Sequence, residues 1–279
     1  MAENVQSPAP VRRAQGKGDD VAQTPQFEWL ARAGLAARGV IYAIVGVLAA
    51  KLALGDGGKT TNQQGALETI AKQPFGKALL ILMAIGLAGY AIWRLVRAAI
   101  GHGPEASDDT KERVAGVASG IAYTVLCFTA VSILIGSGGG GSGGPDKATG
   151  GVLDWPGGQI LVGIAGLVMV GVGLEQGYKG IKKKFLEKSK TEQMSEQVER
   201  AFTALGVSGH LARMVVFSLI GYFLIRAAID YDPDKAVGLD GALATLGGAS
   251  YGPILLGVVA AGLIGFAAYS IADARYRKV

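Results

Sequence analysis

Four ionisable residues interrupt stretches of the sequence that are otherwise apolar: Arg38, Arg213, Glu175 and Asp273. A charge at the centre of a bilayer costs about 2.5–3.5 kcal/mol on the insertion scale, so it pairs, snorkels or marks a polar pathway. All four are expected about a turn inside the same end of their apolar runs. Arginine suits bidentate contact with carboxylates, and two of each at one level invite pairing. Two readings stay open. In one, the four are interhelical ion pairs that fix register, with Glu175 joined to Arg38 or Arg213. In the other, they line the end of a pathway for an ion or an anionic solute.

Other chemistry is sparse. Cys127 is the single cysteine and falls in an apolar run, where it reads as a small buried residue. The two histidines, His102 and His210, flank apolar runs and read as solvated or interfacial side chains. No metal-ligand constellation, nucleophile–base pair or paired carboxylates with room for a substrate stands out, so no catalytic, cofactor-binding or metal residues are expected and an enzyme is not. Gly55-Asp-Gly-Gly-Lys59-Thr60 resembles a phosphate loop, but Ala53 stands where the first glycine is needed and no strand precedes it.

The elements that carry these residues are repeated. Gly65-Ala-Leu-Glu-Thr, Gly76, Gly86 and Gly89 recur 176 residues on as Gly241-Ala-Leu-Ala-Thr, Gly252, Gly262 and Gly265. Gly34, Arg38 and Tyr42 recur 175 residues on as Gly209, Arg213 and Phe217, and a weaker middle copy keeps Gly120, Tyr123, Gly158 and Gly171. Such self-similarity fixes architecture before anything else is decided. Half of the 279 residues are hydrophobic and 18% are charged, against about 25% in soluble chains. Six apolar runs approach the ~20 residues a membrane helix needs, at about 34–54, 76–100, 115–136, 158–180, 209–229 and 253–272. The expected packing device is small residues: Gly116 with Gly120, Gly173 with Gly177, Gly86 with Gly89, and Gly262 with Gly265.

Orientation follows the basic residues. Alternate flanks place 20 of the 27 lysines and arginines on one side, so both termini are expected in the cytoplasm. The net charge of +5 is then the positive-inside signal, and nucleic acid is not an expected partner. Trp29, Trp93, Tyr178 and Tyr276 fall near the inner interface on this reading. Lys182, Lys183 and Lys184 are expected to attract anionic lipid, and the segment that follows suits an amphipathic surface helix. Short surface helices are expected at Gly65 and Gly241 in copies one and three. The Gly136–Pro145 stretch reads as a flexible linker.

This triplicated hairpin, opened by Gly34-Leu-Ala-Ala-Arg38-Gly39 and closed by Gly86-Leu-Ala-Gly89-Tyr90, resembles the bacterial membrane family catalogued as domain of unknown function 1206. The middle copy departs, with Ser119 where the arginine stands and Glu175 opposite Trp93 and Tyr269. The resemblance implies an architecture and a bacterial inner membrane, and carries over no activity. The expected fold is an all-α membrane protein with six transmembrane helices, as three parallel hairpin repeats in a pseudo-threefold bundle. Its parts are a disordered cytoplasmic tail (1–27), hairpins at 28–104, 105–182 and 205–279, and a cytoplasmic linker at 183–204. The expected role is a non-catalytic scaffold or accessory subunit, with an unidentified membrane protein or a second copy as partner. The alternative is a transporter or channel along the axis between the hairpins.

Overall fold

The computed structural model describes residues 25–55, 60–61, 63–100, 110–136 and 145–278. Six long helices dominate: α1 (Pro25–Ala53), α3 (Gly76–Ile100), α4 (Thr110–Leu134), α6 (Gly158–Ile181), α7 (Glu196–Asp230) and α9 (Gly252–Tyr276). Each contains a span long and apolar enough to cross a membrane. Short helices α2 (Gln63–Ala71), α5 (Pro145–Leu153) and α8 (Leu239–Gly248) precede α3, α6 and α9. The turn between short and long helix ends on a glycine in all three copies, although the third turn is one residue shorter. Gly76, Gly158 and Gly252 open the long helices, and a Cβ at any of them would fall 1.8–2.1 Å from a carbonyl oxygen of the short helix. Only glycine fits there.

The long helices follow one another round the bundle as α4, α3, α1, α9, α7 and α6, each packed on the next. Three of these contacts join one copy to another, and corresponding residues meet in each. Gly39 of α1 lies against Ile271 of α9, Gly120 of α4 against Leu95 of α3, and Gly177 of α6 against Met214 of α7. The third pair exchanges the small and large partners. A turn or two further on, Gly46 approaches the carbonyl of Ala260, Gly221 that of Gly166, and Cys127 sets its Sγ 3.5 Å from that of Ala84. Cys127 is therefore a small residue at a close backbone approach, the device that replaces hydrophobic drive in lipid.

Within copies, α1 packs on α3 and α7 on α9 in the same register. Gly34 abuts Tyr90 as Gly209 abuts Phe266, and Gly86 meets Ala33 and Ala37 as Gly262 meets Ser208 and Ala212. The middle copy differs, because α4 and α6 form no substantial contact. These two are the least buried spans, with 11% and 22% of the apolar window buried against 50% for α1. Their outer faces expose Val117, Ile121, Val125, Phe128, Ile164 and Leu167. A contiguous apolar surface of this kind is rare on water-soluble monomers.

Other differences from the sequence reading have local causes. Copy two has its own short helix, α5, beyond the glycine-rich stretch, whose residues 137–144 lie outside those described. The supposed separate amphipathic helix is instead the start of α7, a single helix of 35 residues. It is capped by Ser195, whose side chain accepts from the Val198 N–H, and nothing between Arg200 and Gly209 breaks it. At 1.5 Å per residue α7 is about 52 Å long, well beyond the ~30 Å of a hydrocarbon core. The expected tail (1–27) mostly lies outside the described residues, and α1 begins at Pro25.

Candidate functional site: a basic cavity at one end of the bundle

The end where α1 starts and α9 finishes holds a cavity of about 210 Å³. One water needs roughly 10–15 Å³ by the same kind of measure. Among the described residues its lining includes seven cations, Arg38, Arg94, Lys179, Lys184, Lys188, Arg213 and Arg277, and a single acid, Glu187. Tyr90, Gln176, His210, Phe266 and Tyr269 complete most of the wall.

Each wall element places its residues by packing already described. Arg38 sits one turn along α1 from Gly34, so it lies over the Tyr90 ring that Gly34 admits, at 6.0 Å. Arg213 sits one turn along α7 from Gly209 and lies over Phe266, the counterpart of Tyr90, at 4.5 Å. Arg38 also reaches Phe266, at 5.1 Å. Cation–π contact of this kind is worth about 0.5–2 kcal/mol. Both guanidinium groups thus converge on one ring.

Their charge balance differs. Arg38 donates from Nε to Ser270 Oγ at 3.2 Å, and its Nη2 stands 3.6 Å from Asp273 Oδ2. Asp273 is fully buried and is shared with Arg277 Nη1 at 3.0 Å. Arg213 has ring contacts with Phe266, Phe217 and Tyr42, but no ion pair or hydrogen bond among the described residues. Arg94 Nε is likewise buried without a hydrogen-bond partner there.

Glu175 does not join this group. It is exposed and pairs with Lys179 one turn along its own helix, at 2.9 Å. The cause is helical phase. Gly173 and Gly177 pack on α7, and Glu175, two residues from each, falls about 200° round the helix. Its counterparts Trp93 and Tyr269 are buried because α1 and α7 pack beside them, whereas α4 stands away from α6.

Two residues expected near solvent are interior. His210 is 7% exposed, with Phe185, Phe266 and Tyr269 around its ring at 5.2–5.7 Å and no hydrogen-bond partner on Nδ1 among the described residues. Trp93 is fully buried against Tyr90 rather than at an interface. His102 lies outside the described residues. The segment after α6 covers His210 by turning back. Lys183 takes a left-handed conformation (φ 53°), Phe185 enters the ring cluster, and a strand-like contact ties the segment to the end of α9. Lys190 N–H donates to Tyr276 O at 2.7 Å and Lys278 N–H to Lys188 O at 3.0 Å. Of the three adjacent lysines only Lys184 lines the cavity, while Lys182 and Lys183 face outward. Beside the mouth, the Arg32 guanidinium bonds Glu28 and holds its carboxyl below the ordinary range.

Of the packing glycines, Gly116 and Gly120 face α3, Gly173 and Gly177 face α7, Gly86 faces α1, and Gly262 and Gly265 face α7. Gly89 is buried. Among the described residues no group of three His, Cys, Asp or Glu side chains is arranged to hold a metal.

Six membrane-length helices, an apolar outer belt and a basic end mark a multi-pass helical membrane protein. Within that class the chain belongs to the family described as Domain of Unknown Function (DUF1206), which matches it three times, over residues 33–112, 114–183 and 208–277. It is 34% identical over 258 residues to the Bacillus subtilis (strain 168) protein called "Uncharacterized protein YxxB", covering 91% of this chain and 93% of that one. No solved structure matches.

Proposed function

We propose that this is a bacterial inner-membrane protein with both termini in the cytoplasm, acting as a non-catalytic scaffold or accessory subunit built as a pseudo-threefold bundle. The observation that carries the reading is an unbroken apolar interior. Leu67, Leu243 and Leu256, near the short helices, belong to the same buried cluster as Val45, Leu87, Val216, Ile220 and Leu263, which continues to Phe266 and Phe185 at the basic cavity. A conduit needs polar groups facing its path. The hydroxyls of Thr124 and Thr129 instead bond carbonyls of their own helix, at 2.9 and 3.0 Å. The matched contacts Gly39–Ile271, Gly120–Leu95 and Met214–Gly177 support the threefold design, with the middle hairpin opened.

Transport is the second reading, favoured by a cation-lined cavity placed at one end of the bundle, as an inward-facing state would have. Proteoliposomes decide between them. Purified protein reconstituted into vesicles loaded with potassium phosphate is expected to release potassium and phosphate no faster than empty vesicles. Protein-dependent release of either would replace the scaffold reading with transport.

A further inference from the structure

We infer that the basic cavity is a binding site for a phosphate group, either inorganic phosphate or the headgroup of an anionic phospholipid. Two guanidinium groups held around one aromatic ring repel each other in a low-dielectric setting. Asp273 offsets Arg38 and Arg277, and Glu175 offsets Lys179, but among the described residues no carboxylate reaches Arg213. The excess positive charge faces a cavity with room for a small anion.

The donor types narrow the ligand. Arginine offers a planar fork that matches phosphate and carboxylate oxygens, and lysine adds a compact charge. Arg38, Arg94 and Arg213 come from three separate helices, with Lys179 and Lys184 from a fourth and from the segment after it. Donors converging from several directions suit the distributed oxygens of a phosphate, which takes several charge-assisted bonds at once. A planar carboxylate would leave part of this set unanswered. The wall borders the side where α4 and α6 stand apart, so a headgroup has a lateral approach and a soluble anion approaches from the mouth.

The test uses the full-length protein in phosphatidylcholine nanodiscs. Its thermal unfolding midpoint is titrated with sodium phosphate against sodium chloride at matched ionic strength, and measured again in nanodiscs containing phosphatidylglycerol. Arg213→Gln, Arg213→Lys and Arg94→Gln are compared with Lys51→Gln, whose side chain is exposed at the other end of α1. Wild type and Lys51→Gln are expected to gain midpoint with phosphate, phosphatidylglycerol or both. Arg213→Gln is expected to weaken the apparent affinity about tenfold or more, with Arg213→Lys between the two. Should Arg213→Gln fail to fold, Arg94→Gln carries the same expectation of weakened binding. A response to soluble phosphate assigns a free anion, and a response to phosphatidylglycerol alone assigns a headgroup. No response beyond ionic strength from either source, or equal responses in wild type and the cavity variants, overturns the assignment.

Discussion

Arg38 on the first long helix reaches Asp273 on the last, with Nη2 standing 3.6 Å from a carboxylate oxygen that has no exposure to solvent. The contact ties the two ends of the chain together at the edge of the basic cavity. Asp273 also takes a bond from Arg277 at 3.0 Å, so one carboxylate serves two guanidinium groups.

Removing that carboxylate's charge takes a counter-charge from both cations. Asp273→Asn is expected to cost about 3–5 kcal/mol, the usual range for breaking a buried pair. Glu175→Gln, on an exposed pair within one helix, is expected to stay within about 0.5 kcal/mol of wild type. Reversible unfolding of both purified variants in detergent measures the contrast, and equal losses would refute it.

The repeated hairpin register makes paired predictions. Gly34→Ala brings its new Cβ to 2.2 Å from Tyr90 Cβ, and Gly209→Ala to 2.6 Å from Phe266 Cβ. Both are expected to destabilise by about 1–3 kcal/mol through overpacking. Gly171→Ala meets nothing within 4 Å, so it is expected to be neutral or to stabilise by up to about 1 kcal/mol through helix propensity. Thermal midpoints of the three variants check the ordering.

Orientation is open to a direct assay. Fused after residue 279, green fluorescent protein is expected to be bright and alkaline phosphatase inactive, as both require for a cytoplasmic C-terminus. An active phosphatase fusion would reverse the topology and place the basic cavity outside.

Much of the architecture was legible because the sequence repeats itself. The apolar runs gave all six long helices, and the likeness of Gly65 to Gly241 gave two of the three short ones. The third, α5, shares little sequence with its counterparts and follows a glycine-rich stretch that reads as linker. Depth along each run brought Arg38 and Asp273 to one level, but depth says nothing about direction round a helix. Glu175 was misplaced for that reason, although its spacing from Gly173 and Gly177 already set it on another face. His210 and Trp93 look interfacial in one dimension. Their burial depends on Phe185 folding back over His210, and on α1 packing beside Trp93 and Tyr90, and neither partner segment is near them in sequence. The convergence of Arg38 and Arg213 on Phe266 depends on two hairpins meeting, which no single run reveals.

The packed interior is the central claim, and cysteine accessibility tests it most directly. In a Cys127→Ser background, single cysteines at Val45, Val216 and Leu263 would be treated in membranes with impermeant thiol reagents from each side. These positions are 0–1% exposed, so no labelling is expected before unfolding, while a cysteine at Lys184 in the cavity wall labels readily. Labelling of the three interior positions from either side in the native membrane would contradict a packed axis.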